Sequence, residues 1–179
     1  MKVRLLVWGN DILQSIIFAA FNTNYFMALL EKKLKVKASL LPAAGKGLFT
    51  TEFIPKGTKI VEYKGKITTW KEVDHNDGNN GYIYYVKRNH VIDASTYPSA
   101  LARYANDARG IQRVKGLTNN AEYVEDGLKV YIQAVKDIPA GSEILVEYGK
   151  EYWDAIRYNI KLEKQRKRMT GKRKETPES

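Results

Sequence analysis

The chain has 179 residues, 44% of them hydrophobic, and a formal charge of +10. That length supports one domain with a real core rather than two, and the apolar fraction argues against wholesale disorder. The absence of cysteine excludes disulfides, zinc–thiolate clusters and a thiol nucleophile, and no metal site is expected. Half of the charge lies in residues 161–179, which carry eight Lys/Arg against three Glu. A basic tail on a mildly basic domain favours acidic surfaces, nucleic acid among them, or is simply a solvated terminus.

Residues 1–26 differ from the rest. Lys2 and Arg4 precede an apolar stretch that ends in Ile16-Ile17-Phe18-Ala19-Ala20-Phe21 and is broken by Asn10, Asp11 and Gln14. No run reaches the ~20 residues that span a bilayer, so no membrane contact is expected. The same interruptions make a poor secretory signal, and the protein is not expected to be secreted. Met27 offers an alternative start directly before the first strand. Residues 1–26 are therefore read as an atypical extension, 27–156 as the domain, and 157–179 as a basic C-terminal helix and tail.

From Lys35 onward, short strands alternate with turn residues. Lys59–Tyr63, Tyr82–Val86 and Leu128–Ala134 are rich in β-branched and aromatic residues and are read as strands. Pro55-Lys56-Gly57 and Pro139-Ala140-Gly141 are turns, and Asp74–Asn80 is a loop. Pro98 opens a short helix through Ala105, since proline suits the first helical turn. Glu151–Arg168 reads as a helix, with Trp153, Ile156 and Ile160 apolar and a strongly basic continuation. The expectation is a mostly β domain with a basic helical tail.

Taken singly, the chemical signals are weak. Gly45-Lys46-Gly47 is a Gly-x-Gly turn that lets a backbone approach a ligand, but the third glycine and following helix of a dinucleotide fingerprint are missing. Tyr63, Tyr123 and Tyr148 alone would be half-buried core tyrosines, and Asn106 a loop-capping amide. Their order is more specific. Gly-x-Gly-Leu-Phe, Ile-Pro-Lys-Gly, Glu-Tyr-x-Gly, Val-Ile-Asp-Ala, Ala-Arg-Tyr-x-Asn, Asn-Ala-Glu-Tyr, Asp-Ile-Pro-Ala-Gly-Ser-Glu-Ile and Glu-Tyr-Gly follow one another across residues 45–149. This succession resembles the SET domain of protein lysine methyltransferases over roughly residues 35–153, in a compact form without the zinc-binding flanks.

The resemblance implies a mostly β, β-clip fold of small curved sheets with short helices, in which a pseudoknot near the last strand brings Asn106 beside Tyr148. It implies S-adenosylmethionine as cofactor, received by the turn at Lys46 and Gly47, by the Asn106 amide and by Tyr82, with Trp153 against the adenine. Tyr148 matches the catalytic tyrosine, and Tyr63 and Tyr123 match tyrosines of the lysine channel. Asp107 occupies the place of the family's histidine, counted among the cofactor contacts although the change weakens that expectation. Between Asp107 and Asn120 lie about eight residues more than the family's spacing, carrying Arg109, Arg113 and Lys115; they are read as a surface excursion in preference to a substrate-reading loop.

The implied substrate is a lysine-bearing protein or peptide, a histone or another basic protein. The location would be nuclear and chromatin-associated in a eukaryote, cytoplasmic in a bacterium. Two alternatives stand beside this: a non-catalytic SET-like peptide-binding module, and a basic nucleic-acid-associated protein. The residue types suit the enzyme. Methyl transfer to an amine is an in-line displacement that needs alignment more than bond-making by the protein. Bringing a lysine from a pKa of about 10.4 to its neutral form at pH 7 corresponds to roughly 4 kcal/mol, and a dry aromatic channel helps by disfavouring the ammonium.

Overall fold

The computed structural model describes residues 29–76, 80–110 and 112–173, with side chains to Lys167. The extension 1–26 and residues 174–179 of the tail lie outside the described residues. Among the described residues, three small antiparallel sheets carry the fold. β1 (Leu34–Ala38) pairs with β2 (Lys46–Thr50). β3 (Lys59–Glu62) lies on β8 (Lys129–Ala134), whose other edge pairs with β7 (Ala121–Asp126). The third sheet takes the order β4 (Lys66–Thr68), β6 (His90–Asp93), β5 (Ile83–Lys87).

Alternation along β8 explains how the layers meet. Val130, Ile132 and Ala134 are buried while Lys129, Tyr131 and Gln133 are not, the period-2 signature of a strand with one face inward. They join Leu48, Ile54, Ile60, Val61, Ile138, Ile144 and Val146 in one core, each fully or almost fully buried. Burial of each such aliphatic side chain contributes about 1.5–3 kcal/mol.

The crossing near the last strand is present. Residues 143–148 run parallel to two separate segments, bridging Asn106 to Leu145 and Ala121 to Val146. The Val146 amide donates to the Asn106 carbonyl at 2.8 Å, and Asn120 and Ala121 donate to the Leu145 carbonyl at 2.9 and 3.0 Å. Asn120 locks the crossing from its side chain, donating to the Glu143 carbonyl at 2.8 Å and accepting from the Leu145 amide at 2.9 Å. Gly149, at φ 90°, then turns the chain into helix α1 (Lys150–Arg173) in a conformation unfavourable to other residues.

Two sequence expectations need correction here. The helix expected from Pro98 to Ala105 is a single 3-10 turn, Leu101–Tyr104, because Ala100 before it and Ala105 after it are both extended. Residues 108–119 are no mere surface excursion. Ala108 is buried with Leu41 and Leu145, and Val114 and Leu117 pack against that cluster. Their apolar character, outweighed in the sequence by Arg109, Arg113 and Lys115, finds a partner only once β1–β2 and the last strand are assembled.

Candidate active site

A cleft of about 720 Å³ opens where the β1–β2 connection, the 3-10 turn, the segment 106–112 and the start of α1 meet. It is lined by Gly45 and Lys46, by Tyr82 and Arg103, by Asn106 and Asp107, and by Tyr148, Tyr152 and Trp153. Five of the nine residues expected at the site therefore lie with Tyr148 on one cavity: Lys46, Tyr82, Asn106, Asp107 and Trp153.

Gly47 does not. It is buried behind the wall, and a Cβ built there would stand 2.2 Å from Glu143 Oε1. The missing side chain makes room for a buried carboxylate. Glu143 Oε1 accepts from Ser39 Oγ at 2.7 Å and Asn106 Nδ2 at 3.1 Å, while Oε2 accepts from the Leu40 amide at 2.8 Å. Asn106 Nδ2 also donates to the Lys46 carbonyl at 3.0 Å. Its amide hydrogens thus hold the turn at Lys46 on the edge of the cavity that both residues line. Glu143 and Ser39 escaped the sequence reading because their role comes from a contact 104 residues apart.

Asp107 is buried and saturated. One carboxylate oxygen accepts from the Arg109 amide at 2.7 Å and Asn119 Nδ2 at 2.9 Å; the other accepts from the Tyr148 amide at 2.9 Å and Trp153 Nε1 at 2.8 Å. Burial would raise its pKa, but these N–H donors outweigh it and hold the carboxyl below its usual value.

Tyr148 links the cleft to a second feature. Its hydroxyl donates to the Ala105 carbonyl at 2.7 Å, and its ring stacks on Trp153 at 5.9 Å and meets Tyr152 edge-on at 4.8 Å. Tyr63, Tyr84 and Tyr123 form an aromatic triangle with ring centroids 5.2 to 5.9 Å apart. Tyr63 donates its hydroxyl to the Tyr82 carbonyl at 3.0 Å, so the triangle abuts the cleft wall. Burial pushes the Tyr148 phenol well above its usual value, and the nearby phenols of Tyr152 and Tyr63 add to it. Tyr123 is raised by burial and then by Tyr148, and Tyr63 by burial in the main. Burial, with Glu125 adding, pushes Tyr84 up to about 12. Tyr84 and Tyr152 were not singled out in the sequence. The signal for Tyr84 was its place two residues from Tyr82, on the same face of an extended segment.

These shifts fix the sign of an alkaline response. A phenol with a raised folded pKa stabilises the fold fully below the unfolded value near 10 and loses that contribution as pH climbs toward the folded value. For Tyr84 the window runs from about 10 to about 12. The thermal midpoint is expected to fall across that range, and to fall less in Tyr84→Phe; equal slopes would show that Tyr84 is not held neutral by burial.

The SET domain family model matches residues 45–149, more than half of the chain. The chain belongs to the SET-domain family. Among curated relatives, this SET domain is 28% identical over 134 residues to the histone-lysine N-methyltransferase EZH2 of Chaetomium thermophilum, covering 68% of the chain and 8% of that protein. It is 29% identical over 132 residues to the histone-lysine N-methyltransferase set-17 of Caenorhabditis elegans, covering 73% of the chain and 46% of the relative. The chain thus spans less than half the length of either. A solved structure of a humanized mutant of the Chaetomium thermophilum Polycomb Repressive Complex 2, bound to the inhibitor GSK126, superposes with a TM-score of 0.51 at 26% identity, over 65% of this chain and 15% of that one.

Proposed function

We propose that this SET domain transfers a methyl group from S-adenosylmethionine to the side-chain amine of a lysine in a histone or another basic protein. One observation carries the reading: the Tyr63–Tyr84–Tyr123 triangle is fastened to the cleft that Tyr148 lines, because the Tyr63 hydroxyl donates to the carbonyl of Tyr82, a residue of that cleft, at 3.0 Å. A small-molecule pocket with a tyrosine cluster beside it suits a two-substrate transfer to a long cationic side chain.

The cleft suits the cofactor. Its volume lies within the usual 300–1,000 Å³ range of ligand pockets. Arg103 lines it with its guanidinium 4.0 Å above the centre of the Tyr82 ring, a cation suited to an anionic group such as the cofactor's carboxylate. Lys46 and Gly45 offer main chain, and Trp153, Tyr152 and Tyr82 offer aromatic surface for a base. Bound there, S-adenosylmethionine supplies the methyl group and a sulfonium charge. The protein's own part is alignment and drying. Tyr63, Tyr84 and Tyr123 pack the apolar stem of the lysine and disfavour its ammonium form. The Tyr148 phenol, kept protonated by burial, acts as a neutral hydrogen-bonding group that orients the amine and does not serve as the base.

Incubating the full chain with radiolabelled S-adenosylmethionine and a protein extract, then mapping sites by mass spectrometry, tests this. Label on lysine is expected. Cofactor binding without transfer would favour the non-catalytic peptide-binding module instead.

A second, compatible reading concerns α1. Lys150, Arg157, Lys161 and Lys164 recur at helical spacing along one side of it, and Lys161 and Lys164 are exposed. Asp154, ion-paired to both Lys150 and Arg157, is the acid among them. This face suits a polyanionic backbone. Replacing Lys161 and Lys164 by Gln is expected to weaken binding to duplex DNA and to lower the slope of log K against log salt by about 2; an unchanged slope would leave α1 without that role.

A further inference from the structure

The first turn of α1 forms the wall of the cleft through Tyr152 and Trp153, and Ile156 and Ile160 beyond it are partly buried. Residues Asp154, Ala155, Arg157 and Tyr158 of the next turn are all exposed. Besides its ring contacts with Tyr148 and Tyr152, Trp153 is held by a carboxylate. Asp107 Oδ2 accepts the indole N–H at 2.8 Å and, from the same oxygen, the Tyr148 amide at 2.9 Å. Its other oxygen is anchored by the Arg109 amide and Asn119, both on the 108–119 segment that packs into the fold. Gly110 in that segment lies against the indole, since a Cβ there would stand 3.2 Å from Trp153 Cη2.

We propose that Asp107 is a positioning residue that latches the Trp153 wall and the Tyr148 main chain to the packed 108–119 segment, and thereby sets how tightly the cleft holds its cofactor. The inference rests on the reading of the cleft as a cofactor site. An ionised carboxylate can accept from several donors at once, whereas a neutral imidazole in this position offers one acceptor. The four N–H groups that converge on Asp107 therefore need a carboxylate, and charge-assisted bonds of this kind are the stronger ones. The residue acts through others: Trp153 presents its ring to the cavity because its N–H is spoken for behind it, and Tyr148 enters the wall at the height its amide bond dictates.

The test is a double-mutant cycle on the full chain with Asp107→Asn, Trp153→Phe and the pair, measuring S-adenosylmethionine affinity by calorimetry and folding by circular dichroism. Asp107→Asn puts an NH₂ or a weaker oxygen against donors, and affinity is expected to fall about tenfold, with the KM for cofactor rising more than kcat falls. In the Trp153→Phe background, which lacks the indole N–H, the same change is expected to cost no more than about threefold. Wild-type affinity in Asp107→Asn, or a full tenfold loss in both backgrounds, overturns the latch.

If the wild type binds no S-adenosylmethionine, the functional reading fails on its own, and the latch is judged without cofactor. Asp107→Asn should then shift tryptophan emission to the red, a shift absent in the Trp153→Phe background; no shift overturns the proposal. Should Asp107→Asn fail to fold, the wild-type Trp153 indole proton decides. It is expected to exchange at least tenfold more slowly than that of half-exposed Trp70, and equal rates overturn the latch.

Discussion

Tyr148→Phe is expected to lower methyl transfer at least a hundredfold while leaving cofactor affinity within about threefold of wild type. The substitution removes one hydroxyl and nothing else. That hydroxyl donates to the Ala105 carbonyl at 2.7 Å, on the segment that carries Asn106, and the ring keeps its stacking on Trp153. Losing an oriented hydrogen-bonding group at a reacting centre typically costs 10²–10³ in rate. The effect on stability is smaller, because one unpaired carbonyl costs about 1–3 kcal/mol. Transfer measured with labelled cofactor, set against calorimetric binding, separates the two. Undiminished methylation by the variant would remove Tyr148 from the reaction. A parallel loss of cofactor affinity would make it a wall residue only.

Gly47→Ala is expected to be the most damaging single methyl group in the neighbourhood of the cleft. The added carbon would lie 2.2 Å from Glu143 Oε1 and 2.8 Å from its Cδ. Glu143 cannot swing aside cheaply, since its two oxygens serve Ser39, Leu40 and Asn106 from a buried position. Moving it would orphan those donors. Overpacking of this kind costs about 1–3 kcal/mol, and a fall of roughly 3–10 °C in thermal midpoint follows for a chain of this size. Because Asn106 Nδ2 bridges the same carboxylate to the Lys46 carbonyl, the turn on the cleft should shift as well, and cofactor affinity should weaken with stability. A variant with wild-type stability would mean that the contact is slack.

Much of this architecture is legible in the sequence, for identifiable reasons. The runs at Lys59, Tyr82 and Leu128 read as strands because β-branched and aromatic residues cluster there, and β3, β5 and β8 begin within one residue of those positions. β4 and β6, with three and four residues, are too short to show any alternation. Tyr63, Tyr123 and Tyr148 were identifiable through the order of motifs around them, and the structure brings them to one neighbourhood. What could not be read there is the partner that Gly47 and Asn106 share, the buried carboxylate of Glu143, which lies 37 positions beyond Asn106. Asp107 reads in the sequence as a defect at a histidine position. Only the coordinates reveal that four N–H donors converge there, because three of those pairings, with Asn119, Tyr148 and Trp153, span 12 to 46 positions and only the one with Arg109 is local.

The interleaving of residues 143–148 between the 106 and 121 segments also bears on when the protein becomes competent during synthesis. Every wall of the cleft except one is encoded before residue 142, yet Tyr148, Tyr152 and Trp153 are not, and the bridges to Asn106 and Ala121 depend on that late stretch. A nascent chain still emerging from the ribosome can collapse its hairpins early, since those are local. The long-range insertion comes last and is slow to search for. Ribosome-tethered chains ending before this stretch should therefore be compact yet lack both the crossing and the aromatic wall of the cleft.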